Sequence, residues 1–317
     1  MRSYWGEIMD VVMIGSIAYD SVESPAGKIV EGLGGSATFA GVSACRMNQR
    51  LNAGLSIGAV GVIGKDFLES DIERLECQGM DLSGVERSDD LTFRWVARYG
   101  ADFGDVETLD THVNCIIGYS PVVPSEWKDA SILLLANMAP SLQLAVLEQM
   151  NDDVIVLADS MEKWIVENLD EVKHVFSRTD VLVVNEIEAE SLTGFSEPKL
   201  AAVGLLNLIK ENGIVIVKLG AQGALALIEG EIIQISAVPN CIPADPTGCG
   251  DSFIGTLAAH FAANIKNNSA PYLKLRESMV DATVAASLAL EGFSIQAIEV
   301  AGITEYARRA ALVDSIV

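Results

Sequence analysis

A chain of 317 residues is long enough for one large α/β domain; half of it is hydrophobic and only 6% aromatic, which suits an aliphatic core rather than a platform for stacked bases. Lys and Arg number 21 against 44 Asp and Glu, so the formal charge is −23, a surface that repels nucleic acid and anionic membranes and argues against both as partners. The five cysteines (Cys45, Cys77, Cys115, Cys241, Cys249) form no C-x-x-C pair and the three histidines lie far apart; neither a disulfide framework nor a zinc site is indicated, and a reducing cytoplasm fits.

In chain order, the opening MRSYWGEIMD has no long apolar run, so no signal peptide is expected. Runs rich in Val, Ile and Leu predict strands at 11–17, 55–62, 132–136, 154–158, 181–184 and 214–218. They are apolar on both faces, as a parallel sheet covered by helices requires. Helical patterns lie between them. In 67–78, for example, Phe67, Leu68, Ile72 and Leu75 mark one face before Gly79 ends the helix. The uncharged stretch 131–147 is interrupted by Asn137, Pro140 and Gln143, and predicts a strand, a turn and a helix rather than a membrane span. No repeat or linker appears. The expectation is a single α/β domain over 1–317, a doubly wound and mainly parallel sheet flanked by helices.

Two stretches break the rhythm. Residues 21–32 are polar and turn-rich. In 91–113, Phe93, Trp95, Ala97 and Tyr99 alternate with Thr92, Arg94 and Arg98, which predicts a half-exposed strand and then a second at about 107–113. Together they suit a small antiparallel sheet outside the main one. It reads as an edge hairpin, as a lid over a substrate, or as the clasp of a homodimer.

The segment with the most chemistry is DPTGCGDSF, at 245–253. Phe253, Ile254, Leu257, Ala258 and Phe261 recur at helical spacing after it, so Gly248 and Gly250 sit where a helix begins. First-turn N–H groups lack partners inside a helix, and the macrodipole adds positive charge there; together they make an anion hole. Asp251 stands in that turn. A carboxylate there serves as a helix cap or as the base that accepts a proton from an attacking hydroxyl, and local chemistry does not separate the two.

This segment resembles the C-terminal signature of the ribokinase (PfkB) family of sugar and nucleoside kinases, D-T-x-G-A-G-D, and the resemblance runs along nearly the whole chain. GSIAYD places Asp20 at the family's substrate-binding Asp, and Gly34 and Gly35 in GLGGSATFAG match its paired glycines. NEIE supplies Asn185 and Glu188 of an Asn-x-x-Glu motif, and KLGAQG supplies Lys218, Gly220 and Gly223 of a nucleotide loop. The resemblance implies ATP and Mg²⁺ as cofactors and a sugar or nucleoside as acceptor. It implies Asp251 as base, an anion hole from the N–H groups of Gly248, Cys249 and Gly250, and Mg²⁺ ordered by Asn185 and Glu188 through water. Asp245 and Thr247 match positions whose carbonyls bind a monovalent cation such as K⁺ in family members. Read without the family, Asn185 caps a helix starting near Glu186, Asp20 is a turn residue, and Gly34 and Gly35 permit close packing.

Ribose-specific members resemble GSINAD and GGKGAN where this chain has Ala18, Ser36 and Phe39 in place of Asn, Lys and Asn. Two amides and a cation are missing, which argues against ribose. Phe39 offers an apolar wall for a base or a less polar sugar, Arg94 is placed to meet an anionic acceptor or to be solvated, and Asn137 follows a strand where ligands bind. Pro246 and Cys249 replace a common Thr and Ala, and a thiol at a helix start is expected to have a lowered pKa. An ADP donor, a hydroxymethyl-pyrimidine acceptor and a non-catalytic sensor remain as alternatives. A dinucleotide site is not expected, since GSIAYD stands where a G-x-G-x-x-G would follow the first strand.

Overall fold

The structure, a computed structural model, describes residues 9–313 and 315–316; residues 1–8, where no leader is expected, lie outside the described residues. The chain begins with β1 (Val11–Ile14), the hairpin β2 (Ala18–Ser24) and β3 (Gly27–Gly34), α1 (Ser36–Leu51) and β4 (Ile57–Ile63). It continues through α2 (Glu69–Gln78), β5 (Met80–Arg87) and a second hairpin, β6 (Phe93–Tyr99) and β7 (Val106–His112). Next come β8 (Ile132–Leu135), α3 (Pro140–Leu147), β9 (Ile155–Ala158), α4 (Glu162–Glu167), α5 (Leu169–Phe176) and β10 (Val181–Asn185). Then follow α6 (Glu186–Thr193), α7 (Pro198–Leu206), β11 (Ile214–Lys218), β12 (Ala224–Ile228) and β13 (Glu231–Ile235). The last elements are α8 (Cys249–Lys266), α9 (Leu275–Leu290), α10 (Gln296–Val300), α11 (Ile303–Ala310) and β14 (Ser315–Ile316).

Ten strands form one sheet in the order β14-β13-β12-β11-β10-β9-β8-β1-β4-β5. Neighbours from β11 to β5 run parallel, and antiparallel pairings add β12, β13 and β14. Successive side chains of a strand go to opposite faces, and both faces are covered. Val11, Met13, Ile132 and Leu134 pack with α1, α8 and α9, whereas Val12, Ile14, Leu133 and Leu135 pack with α3, α5 and α7. That is why the strands read as apolar runs. The winding reverses at β1, which pairs with β4 on one side and β8 on the other. The carboxyl ends of the strands at such a reversal open the crevice where doubly wound sheets take ligands. Among the described residues, no helix is long and apolar enough to cross a membrane.

Local departures have local causes. The first strand ends at Ile14, because residues 15–17 bend toward the hairpin. Phe67 precedes α2 rather than opening it, buried in a turn with its ring stacked on Tyr19 at a centroid distance of 5.2 Å. Gly79 ends that helix at φ 104°.

The two irregular stretches do form a second sheet, β3-β2-β6-β7, with 21–32 extended into strands around a turn at Pro25 and Ala26. It is mixed rather than antiparallel, since β2 and β6 pair parallel. Both leave the same edge of the main sheet, after parallel strands β1 and β5, and so run the same way. In this pairing Tyr19 stands beside Arg94 and Asp20 beside Trp95. Asp20, Val22 and Ser24 therefore share one face with Trp95, Ala97 and Tyr99. That face looks onto the crevice: the Tyr99 hydroxyl lies 3.1 Å from Thr247 Oγ1, and Ser24 Oγ donates to the Ala244 carbonyl at 2.6 Å.

Candidate active site

Helix α8 begins at the crevice. Its N-cap, Gly248, has φ 78° and supplies no capping side chain. The turn before it is held by Thr247 N–H on Asp245 Oδ1 at 2.9 Å and by Cys249 N–H on the Pro246 carbonyl at 3.2 Å. Asp245 is buried. Phe39 comes from α1 and is only 1% exposed, and a Cβ on Gly248 would fall 2.2 Å from its ring. Phe39 is thus the floor of the turn, not a wall for an acceptor: α1 and α8 pack here, and their contact buries the ring. The Cys249 thiol donates to the Ala286 carbonyl at 3.4 Å. Burial, with Asp245 and Asp251 beside it, raises its pKa, the reverse of the lowering expected at a helix start.

Asp251 lies in the first turn of α8. Burial, and then the Asp159 carboxylate, push its pKa up to about 7 against the opposing Lys218 ammonium. Lys218 ends β11 and Asp159 directly follows β9; their pair, at 3.2 Å, sits beside Gly250, where an added Cβ would come within 2.8 Å of Lys218 Nζ. Burial opposes the charge on Lys218, but Asp159, Glu188 and Asp251 outweigh it and raise its pKa.

Asn185 is level with Lys218 in the β10–β11 pairing and caps α6. Its Oδ1 accepts from Glu188 N–H at 2.8 Å while Glu188 Oε2 accepts from Asn185 N–H at 2.8 Å, the reciprocal capping box that the sequence allowed. Glu188 is 5% exposed; burial, with Asp159 nearby, raises its pKa to about 7 against the pull of Lys218. Gly220 and Gly223 bracket a turn after β11, both at positive φ. Among the described residues, no three His, Cys, Asp or Glu side chains converge as a metal-ligand set.

Across the crevice, Asp20 is a buried strand residue rather than a turn residue. Its Oδ2 accepts the Gly35 N–H at 3.3 Å and would lie 2.0 Å from a Cβ on Gly34, so any side chain there would displace the carboxylate. Burial, then Asp245 and Asp251, lift its pKa to about 7, with only the Gly35 N–H opposing.

Arg94 does not join these groups. It belongs to the other face of the small sheet, where Nε bonds Glu31 at 2.8 Å and Nη2 bonds Asp66 at 2.6 Å, so it is not turned to an acceptor in the crevice. Asn137 does lie at the crevice, but its side chain is engaged: Oδ1 accepts from Trp164 Nε1 at 2.9 Å and Nδ2 donates to Met161 Sδ at 3.5 Å.

The sequence model for the pfkB family of carbohydrate kinases matches residues 9–299. The chain belongs to the pfkB family. A cytidine kinase of Thermococcus kodakarensis is 27% identical over 259 residues, covering 80% of this chain and 89% of that protein. A ribokinase of Giardia lamblia superposes with a TM-score of 0.77 at 17% identity, over 96% of this chain and 99% of that one. A putative ribokinase II of E. coli, solved in complex with ATP and Mg²⁺, gives 0.74 at 19% identity over 96% and 99%. At such identities the superpositions speak to the fold.

Within this pfkB chain, sequence reasoning missed Asp159. Its signal was an acidic residue directly after a buried parallel strand, at the carboxyl edge of the sheet. It also passed over Trp95 and Tyr99 as site residues, having noted only that they share a face.

The raised pKa values of Asp20 and Asp251 bear on stability. Asp20 and Asp251 hold their protons up to about pH 7 in the fold, whereas the unfolded chain releases them near 3.8. Between those values the folded state binds more protons, so stability falls as pH rises from about 4 to about 7. Urea midpoints of the ligand-free protein should be higher at pH 5 than at pH 8, and Asp20→Asn, which keeps an acceptor for Gly35, should shrink that difference. An unchanged pH dependence in the variant would remove Asp20 from this account.

Proposed function

We propose that this protein transfers the γ-phosphoryl group of ATP to a hydroxyl of a sugar or nucleoside-like acceptor, with Asp251 as base. The observation that carries the reading is the join at the start of α8: a helix N-terminus with no capping side chain, the Lys218–Asp159 pair beside it, and Asp251 with its pKa pushed up to about 7. A base works best when its pKa is close to the operating pH.

The residues fit a nucleotide polyphosphate with Mg²⁺. A side chain at Gly250 would fill the space next to Lys218 Nζ, so the glycine keeps a cradle open where N–H groups and an ammonium meet. Mg²⁺ keeps several waters and needs few protein ligands, which suits a site without a converging carboxylate set. Asn185 and Glu188 would hold it through water, with one Glu188 oxygen already committed to the helix cap. Bound here, ATP with Mg²⁺ supplies the γ-phosphoryl group and part of its charge neutralisation.

The chain supplies the rest. Asp251 takes the proton of the attacking hydroxyl, and the N–H groups of Gly248, Cys249 and Gly250 receive the charge that builds during transfer. Lys218 holds the phosphates, while Gly220 and Gly223 let the backbone approach the nucleotide. Asp20 with Gly34 and Gly35 orients the acceptor, and the small sheet closes over it as a lid. Carbonyls of Asp245 and Thr247 are the candidate holders of K⁺. The free cysteines suit a reducing cytoplasm.

The test is ADP release with Mg²⁺ and ATP across sugars, sugar phosphates, sugar acids and nucleosides. Release that needs both an acceptor and Mg²⁺, and stops with EDTA, is the expected result. A protein that binds no nucleotide by calorimetry overturns the kinase reading.

A further inference from the structure

Charge narrows the acceptor. Asp245 and Asp251 both lie within electrostatic reach of Asp20 on the acceptor side of the crevice. The nearby cations are directed elsewhere. Arg94 and Arg98 belong to the opposite face of the small sheet, the first held by Glu31 and Asp66 and the second by Glu23 and Glu107, while Lys218 is held by Asp159 beside α8. A phosphate or carboxylate on the acceptor would meet carboxylates with no free cation among these residues. Like charges brought together in a partly desolvated site are strongly disfavoured, so the acceptor is uncharged.

Hydroxyl partners narrow it further. Asp20 has one oxygen on the Gly35 N–H and is placed to take a vicinal diol, and Asp251 takes the reacting hydroxyl. The side chains of Ser36 and Asn137 are already used. Ser36 Oγ donates to the Asn137 carbonyl and accepts from Ser16 N–H, and the Asn137 amide is held by Trp164 and Met161. Ala18 and Phe39 are buried and apolar. A free sugar carries at least one hydroxyl more than these groups serve, and a buried unpaired hydroxyl is costly. A ribonucleoside does not: its anomeric position bears a flat ring, leaving a diol and a primary hydroxyl.

A surface for that ring is present. Trp95 stands directly beside Asp20 in the β2–β6 pairing, on the crevice face, and is only half-buried. Its indole N–H donates to Thr108 Oγ1 at 3.2 Å, which fixes the ring and leaves its face for stacking.

We propose that the acceptor is an uncharged nucleoside whose base stacks on Trp95 while its ribose diol binds Asp20, so that Trp95 sets specificity. This rests on the kinase reading of the same site. The experiment compares cytidine, inosine, ribose and fructose 6-phosphate as acceptors in wild type, Trp95→Ala and Trp95→Phe, with thermal melts to show that the variants fold and calorimetry to read nucleoside binding directly. Wild type should prefer a nucleoside. Trp95→Ala should cut the nucleoside-over-ribose ratio of kcat/KM by about ten- to hundredfold, mostly through KM, as base stacking on an aromatic ring implies, and Trp95→Phe should restore most of it. Preference for ribose or fructose 6-phosphate, or equal losses for nucleoside and ribose in Trp95→Ala, overturns the inference and leaves the kinase reading standing. Nucleoside binding that depends on Trp95 without any turnover sinks the kinase reading and overturns the acceptor role with it, leaving only a base subsite at Trp95. Absence of both nucleoside binding and nucleoside turnover overturns the inference.

Discussion

Asp251→Asn should lower kcat by about a hundred- to ten-thousand-fold, the range a positioned general base contributes, while ATP affinity changes little. Asparagine keeps the size and the place in the first turn of α8 but cannot take a proton. Because the wild-type group has a pKa of about 7, kcat/KM in the wild type should rise with pH through neutrality and level off above it. The variant should lose the share of that rise that belongs to Asp251, keeping the share that belongs to Asp20, whose pKa is also about 7. Steady-state kinetics from about pH 5.5 to about pH 9, on either side of that pKa, with calorimetry for ATP, read both effects. Near-normal turnover in the variant would mean that Asp251 is only a helix cap.

Gly248→Ala should cost both stability and turnover. The backbone there is left-handed, at φ 78°, and the added carbon would fall 2.2 Å from the Phe39 ring. Phe39 is 1% exposed and has no room to retreat, so the turn must shift instead. Overpacking of this kind costs about 1–3 kcal/mol, and a left-handed non-glycine residue adds about 1–2 kcal/mol. A shift of about 1 Å in a positioning element can lower rate about a hundredfold, and here it would move the N–H groups at the start of α8. The double variant Gly248→Ala/Phe39→Leu should regain part of the stability, because the smaller side chain relieves the clash while the backbone strain remains. Wild-type melting and turnover in the single variant would show that the turn is not held by this contact.

The sequence by itself determined whatever depends on neighbours along the chain. Apolar runs marked the parallel strands because both sheet faces are covered, Gly79 marked the end of α2, and NEIE marked a helix start that proved to be a reciprocal cap. The glycines of 245–253 marked the start of α8, and the alternation in 91–113 separated Trp95 and Tyr99 from Arg94. Only the tertiary structure decided what each face meets. Arg94 is tied to Glu31 and Asp66, residues distant in sequence, and Phe39 is buried because α8 crosses α1 above it. Asp159 reaches Lys218 because β10, lying between β9 and β11, places the ends of two non-consecutive strands at one edge. Periodicity reports which way a side chain points, through the two- and 3.6-residue repeats of the backbone. It carries no record of the partner, since that depends on strand order and helix crossing, which are chosen by packing across the whole core.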